Sequence, residues 1–127
     1  MAFELNWEPR GVYRVFREHV TVEDRRHSLQ AICADRRFDD LLYTITDYLE
    51  IDSFDYSKEA NSEIAALHIG PMWTNPKILI ATVAADAALV ASVTEFISLG
   101  FIKSPQRIFE TVESARDWIQ HSHPSLR

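Results

Sequence analysis

Between Ile78 and Ala84 the chain reads Ile-Leu-Ile-Ala-Thr-Val-Ala, with one hydroxyl and no charge. A strand that alternates apolar and polar residues can keep one face in water, but this run cannot. It needs cover on both faces, which is the situation of a strand inside a parallel sheet flanked by helices. The stretch Ile78 to Ile102 carries only Asp86 and Glu95, so its length and polarity also invite a membrane reading. A carboxylate at the centre of an inserted helix costs about 2.5–3.5 kcal/mol. Asp86 also divides the window into a β-branched half and an Ala-rich half. Strand followed by helix is therefore the expectation, and no membrane span is expected.

The flanking sequence supplies the other layers. Phe3 to Trp7 alternates apolar and polar, Glu8-Pro9-Arg10-Gly11 is turn chemistry, and Val12 to Arg17 forms a second strand, giving an opening hairpin. Thr21 precedes Glu23 and Asp24 and can cap a helix on which Val22, Leu29, Ile32 and Cys33 share a stripe. Leu41 to Thr46 is β-branched and aromatic, a third strand. An acidic stretch, Asp47 to Asp55, follows. A helix is predicted over Ser57–Ile69, stopped by Gly70-Pro71. After the Ile78–Ala84 strand, Asp86 caps a helix reaching Leu99 and ended by Gly100. Arg107 to Glu110 is a short last strand. Thr111 caps a final helix with Val112, Ala115, Trp118 and Ile119 inward, and residues 121–127 are expected to fray.

The order β-β-α-β-α-β-α-β-α predicts one α/β domain over residues 1–127. Its sheet is mixed but mainly parallel, with about five strands opening with a β-hairpin and about four flanking helices. One cysteine excludes an internal disulfide and a four-cysteine zinc site, and Cys33 reads as a core residue. The start Met1-Ala2-Phe3-Glu4 shows no basic, apolar leader pattern, which points to a cytoplasmic setting.

Charge is unevenly spread. Residues 41–70 hold Asp47, Glu50, Asp52, Asp55, Glu59 and Glu63 against Lys58 alone, a net −5 out of −6 for the chain. Such a balance disfavours nucleic acid, whose phosphates require a basic footprint, and suits a protein partner with a basic surface. Asp47, Asp52, Ser53, Asp55, Glu59 and Glu63 are accordingly the candidate partner-binding residues. Asp47 and Asp86 each follow a parallel strand, where ligands of open α/β sheets bind. Together with Asp52 and Asp55 they make a third, weaker reading of a metal-dependent enzyme. No spacing matches a metal loop, and the simpler expectation is that Asp55 and Asp86 cap helices while Asp47 and Asp52 shape turns. No phosphate loop or nucleophile elbow is present, so no catalytic residue, metal or cofactor is assigned. His68 reads as a core-edge residue. Trp7, Trp73 and Trp118 read as core. The helix Ala87–Leu99 is apolar on most sides, which suggests a homodimer through Val90, Val93 and Ile97.

Several segments together resemble the SpoIIAA-like family, relatives of STAS domains that also look like the lipid-binding SEC14/CRAL-TRIO fold. They are Gly11 to Phe16, Thr21 to Asp24, Arg37 to Asp47, Lys77 to Ala84 and Arg107 to Ile119. The resemblance implies a mixed sheet flanked by helices and a non-enzymatic role in protein interaction or regulation. The lipid-carrier likeness adds an alternative, a carrier of a small apolar ligand. In the antagonists of this class an Asp-Ser-Ser-Gly motif opens a helix and its first Ser takes a phosphate. The similar place here is Asp52-Ser53-Phe54-Asp55, where Ser53 matches and the second Ser and the Gly do not. A phosphate adds about −1.5 to −2 charges, which Asp47, Glu50, Asp52 and Asp55 would oppose. Ser53 is therefore expected to be a turn or capping residue and not a phosphosite.

Overall fold

A computed structural model describes residues 2–126. The sheet has five strands in chain order: β1 (Phe3–Glu8), β2 (Gly11–Val20), β3 (Tyr43–Phe54), β4 (Leu79–Val83) and β5 (Gln106–Phe109). Only β1 is antiparallel, joined to β2 by the expected hairpin; β2, β3, β4 and β5 run parallel. The helices are α1 (Val22–Ala34), α2 (Lys58–Leu67), α3 (Ile69–Thr74), α4 (Ala87–Ser98) and α5 (Val112–Ser122). The α/β class, the mixed sheet and the hairpin are as expected.

Helix starts follow the capping chemistry. Thr21 Oγ1 accepts from Asp24 N at 3.0 Å while the Asp24 carboxylate accepts from Thr21 N at 2.9 Å, a full capping box. Asp86 accepts from Leu89 N at 3.1 Å and Thr111 from Ser114 N at 3.1 Å. Gly100, at φ +71°, ends the α4 turn in the left-handed region. Other boundaries differ from the sequence reading. Gly70-Pro71 does not stop a helix: α2 ends at Leu67, and both residues sit in the first turn of α3. Proline is tolerated there because the first-turn N–H groups have no helical acceptor. Asp55 does not cap α2; Ser57 does, accepting from Ala60 N at 3.0 Å. Within the segment expected to fray, residues 121 and 122 belong to α5 and Leu126 packs back on the core.

The largest difference lies in β3. The acidic stretch expected to leave the sheet continues as strand to Phe54, because β2 also runs on to Val20 and pairs with it. Beyond Ala2, whose O accepts from Arg17 N at 2.8 Å, on one side and Asp47↔Val83 on the other, these two strands pair with no further strand among the described residues and form a two-stranded ribbon. Irregularities at Val15/Arg17 and Glu18/His19, with Glu18 at φ +60°, bend the ribbon.

Parallel strands laid in chain order with right-handed crossovers place all crossover helices on one face. The observed packing agrees. Ile32 of α1 and Met72 of α3 join Val12 and Ile78 in one cluster, while Tyr43, Ile45, Ala81 and Val83 meet Ala115 and Ile119 of α5 in the other. Gly11 is central to the second face. A Cβ placed there would lie 2.0 Å from the Tyr43 ring. That ring cannot swing away at little cost, because the Tyr43 hydroxyl donates to Glu8, which also accepts from Arg116 of α5 at 3.0 and 2.8 Å. The Arg116 bond is the main reason the Glu8 carboxyl stays below its usual pKa, and burial with the Glu8 contact pushes the Tyr43 phenol up to about 12.

Gly11→Ala is expected to lower stability by about 1–3 kcal/mol, the usual range for forced overpacking, measured by urea unfolding. The loss should shrink in a Tyr43→Leu background, because the clashing ring is then gone.

Candidate functional site

The acidic residues separate into two populations. Asp47 is buried, with its carboxylate taken up by the Tyr13 hydroxyl and by Leu49 N at 2.8 Å. Burial, then the Asp47 bond, pushes the Tyr13 phenol up to about 12. Asp47 is thus an internal support and not a partner-facing acid, and Asp86 is occupied in capping α4. Asp52, Asp55, Glu59 and Glu63 are exposed. Glu63 pairs with Arg26 of α1. Among the described residues no group of three His, Cys, Asp or Glu side chains is placed to hold a metal ion.

Ser53 lies within β3 and neither shapes a turn nor caps a helix. Its hydroxyl is 2.7 Å from His19 Nδ1, and the same ring's Nε2 is 2.9 Å from Asp55 Oδ1. These residue types are those of a hydrolytic triad. All three, however, stand on the exposed ribbon, and acyl transfer draws its rate from a water-poor site with donors aimed at the oxyanion. The cluster is best read as cross-strand ties of the ribbon, alongside Arg17–Glu50 at 3.4 Å.

The apolar character of α4 has an internal explanation. Leu89 is buried, and the partly buried Val93 and Phe96 line the space between α4 and the sheet, so Val93 faces inward. Outward lie Ala88, Ala91, Thr94 and Ser98, with Val90 and Ile97 partly exposed at the flanks. Asn61 of α2, fully buried, donates to Ser92 O at 3.2 Å and Glu95 Oε1 at 3.1 Å and so locks α2 to α4.

Sequence reading missed two features. Trp73, assigned to the core, is 87% exposed on α3. With Ile69, Met72, Pro76, Phe101 and Lys103 it borders an open, mainly apolar groove of about 510 Å³. Ile69 and Phe101 are exposed too. The pattern Ile69-Gly70-Pro71-Met72-Trp73, short and rich in apolar residues beside helix breakers, was the available signal. The second feature is a smaller, partly open pocket, about 60 Å³, between the sheet and helices α1, α2 and α4 and lined partly by Arg14, Arg25 and His68. His68 Nδ1 lies 2.8 Å from Ile64 O, and burial lowers the ring pKa to about 4. Neither pocket under the helices, the second about 30 Å³, approaches the several hundred Å³ that a drug-sized ligand fills.

No protein-family model matches the chain, and no curated protein matches it. Solved structures do. The anti-sigma factor antagonist SpoIIAA in its unphosphorylated form aligns with a TM-score of 0.64 at 12% identity, covering 94% of this chain and 98% of that one. The phosphorylated form of the Bacillus cell-fate determinant SpoIIAA gives 0.59 at 14% identity, covering 93% and 99%. An uncharacterised DUF3478 protein with a SpoIIAA-like fold from Shewanella loihica PV-4 gives 0.57 at 14% identity, covering 93% and 92%. The fold of this chain is SpoIIAA-like. No helix among the described residues is long and apolar enough to cross a membrane.

His68 generates a pH prediction. Its folded pKa, about 4, lies below the unfolded 6.5, so the unfolded chain binds the extra proton between those values. Stability should therefore fall as pH drops from 6.5 toward 4, by on the order of 2 kcal/mol. His68→Gln should flatten that part of the profile in denaturation measured across pH.

Proposed function

We propose that this chain is a non-enzymatic protein-binding module of regulatory type, and that the groove beside Trp73 is its docking surface. The observation that carries the reading is the exposure of Trp73 together with Ile69 and Phe101 around one groove. Large contiguous apolar patches on a folded surface mark interaction sites, and tryptophan is among the residues that dominate interface energetics. Support also comes from the structural neighbours, two of which are forms of a protein described as an anti-sigma factor antagonist.

The occupant proposed is a protein presenting an apolar side-chain cluster with a basic flank. Asp52, Asp55, Glu59 and Glu63, all exposed, supply the acidic field that would speed its approach. Attraction of that kind weakens with salt, whereas the apolar contact persists. Self-association through Val90 and Ile97 is a separate proposal, tested by whether the unmodified chain sediments as a dimer at micromolar concentration. A cytoplasmic setting, a single domain over residues 1–127 and the absence of a cofactor belong to the same proposal.

Capture of native partners by the immobilised chain tests the reading. Trp73→Ala should leave unfolding within about 0.5 kcal/mol of the unmodified protein, because the ring packs on little. It should weaken capture by about 2 kcal/mol or more, the scale of a central interface aromatic. Charge reversal of Glu59 and Glu63 should slow association and reduce its salt dependence. Capture that survives Trp73→Ala unchanged removes the groove from the reading.

A further inference from the structure

The pocket between the sheet and the helix layer contains an unbalanced charge. Arg14 projects from β2, an inner strand, under the helices. Its Nε and Nη2 donate to Thr46 Oγ1 at 3.2 and 2.8 Å, and its Nη1 donates to Ser28 Oγ at 2.8 Å. The Phe16 ring lies 5.2 Å from the guanidinium. These partners are all neutral. A guanidinium has five N–H donors, so two remain after the three bonds.

Four other arginines meet carboxylates: Arg17 and Arg26 two each, Arg37 and Arg116 one each. Among the described residues no ion pair includes Arg14 or Arg25. Arg25 of α1 lines the same pocket, with its guanidinium 5.8 Å from the Phe96 ring. No Asp or Glu borders the pocket. Two cations thus face one space in a chain of net charge −6, with no acid between them. Arg14 is only partly exposed, and that burial holds its pKa below the usual guanidinium value, the direction expected for a desolvated cation with no acid beside it. Such a group is costly unless something balances it.

We propose that this pocket binds a small monocarboxylate, with Arg14 and Arg25 holding the carboxylate and the apolar wall holding a short alkyl tail. Size and chemistry set the class. About 60 Å³ admits a ligand of only a few heavy atoms. The arginine fork matches a planar carboxylate with two parallel N–H···O bonds. Leu29, Ile64, Ile80 and Val93 give the other side of the pocket an aliphatic surface. A tetrahedral phosphate would direct oxygens at that wall; the methyl end of an acetate or propionate packs against it. So few atoms hold the dissociation constant to roughly micromolar at the tightest. The site is independent of the Trp73 groove and shares none of its lining residues.

Titration of the full chain with propionate, phosphate and chloride at constant ionic strength, followed by backbone amide NMR shifts, tests the site. Propionate is expected to give saturable shifts in β2, β3 and β4 around Arg14, Thr46 and Ile80. Arg25→Gln should weaken binding at least tenfold, and Arg14→Gln should abolish saturation. Should Arg14→Gln not fold, the Arg25→Gln titration and contacts from labelled propionate methyl protons to Leu29 and Val93 decide the matter. Propionate shifts no more saturable than those with chloride overturn the site. Saturation unchanged in Arg25→Gln, or phosphate binding tighter than propionate, overturns the assignment of its chemistry.

Discussion

A parallel sheet cannot leave either face in water, and the strand order here makes that requirement lopsided. With β2, β3, β4 and β5 in chain order, every crossover helix falls on one face. The other face depends on α5, with Leu126 of the following turn beside it. Ala115 and Ile119 supply the apolar contact, with Trp118 beside Phe109 at 5.6 Å. Arg116 adds a bidentate bond to Glu8 of the edge strand, 108 residues away in sequence. Gly11 is the concession that lets Tyr43 lie flat enough to join that bond. The same asymmetry explains why Asp47 is buried. It stands on the α5 face at the end of the β4 pairing, where Tyr13 covers it.

Charge is segregated by layer. The acids that dominate the formal charge stand mostly on the β2–β3 ribbon and on α2, in water, while two unpaired arginines look into the space beneath the helices. Exposed acids cost little and keep the chain soluble. Interior cations behave oppositely: their energy depends on what shares the pocket with them. The outer surface and the space beneath the helices therefore carry charge of opposite sign.

Much of this fold was legible because local chemistry and global need agreed. The β4 run announced a doubly covered strand. Thr21, Asp86 and Thr111 announced helix starts, and Gly100 announced a stop. Where reading failed, the deciding interactions were non-local. Asp52 and Ser53 read as loop because no alternation marks a ribbon wet on both faces; their strand geometry comes from the Arg17–Val20 extension of β2. Gly70-Pro71 signals a stop in a long helix, but a new helix beginning at Ile69 makes the proline acceptable. Trp73 looked like core because large aromatics usually are, and only the placement of α3 shows it standing clear. Arg14 gave no signal within its own strand, because only the inner position of β2 in the sheet places it under the helices.

The chain-ordered sheet also implies a timetable for synthesis. Each strand after β1, as it emerges, finds its pairing neighbour already in place, which favours assembly from the N-terminal end. The exception is the face that holds Tyr43, Ile45, Ala81 and Val83. It stays uncovered until the last helix leaves the ribosome, when Arg116 reaches back to Glu8. A nascent or truncated chain ending before Val112 would carry a nearly finished sheet with one greasy side open, the species a chaperone would hold.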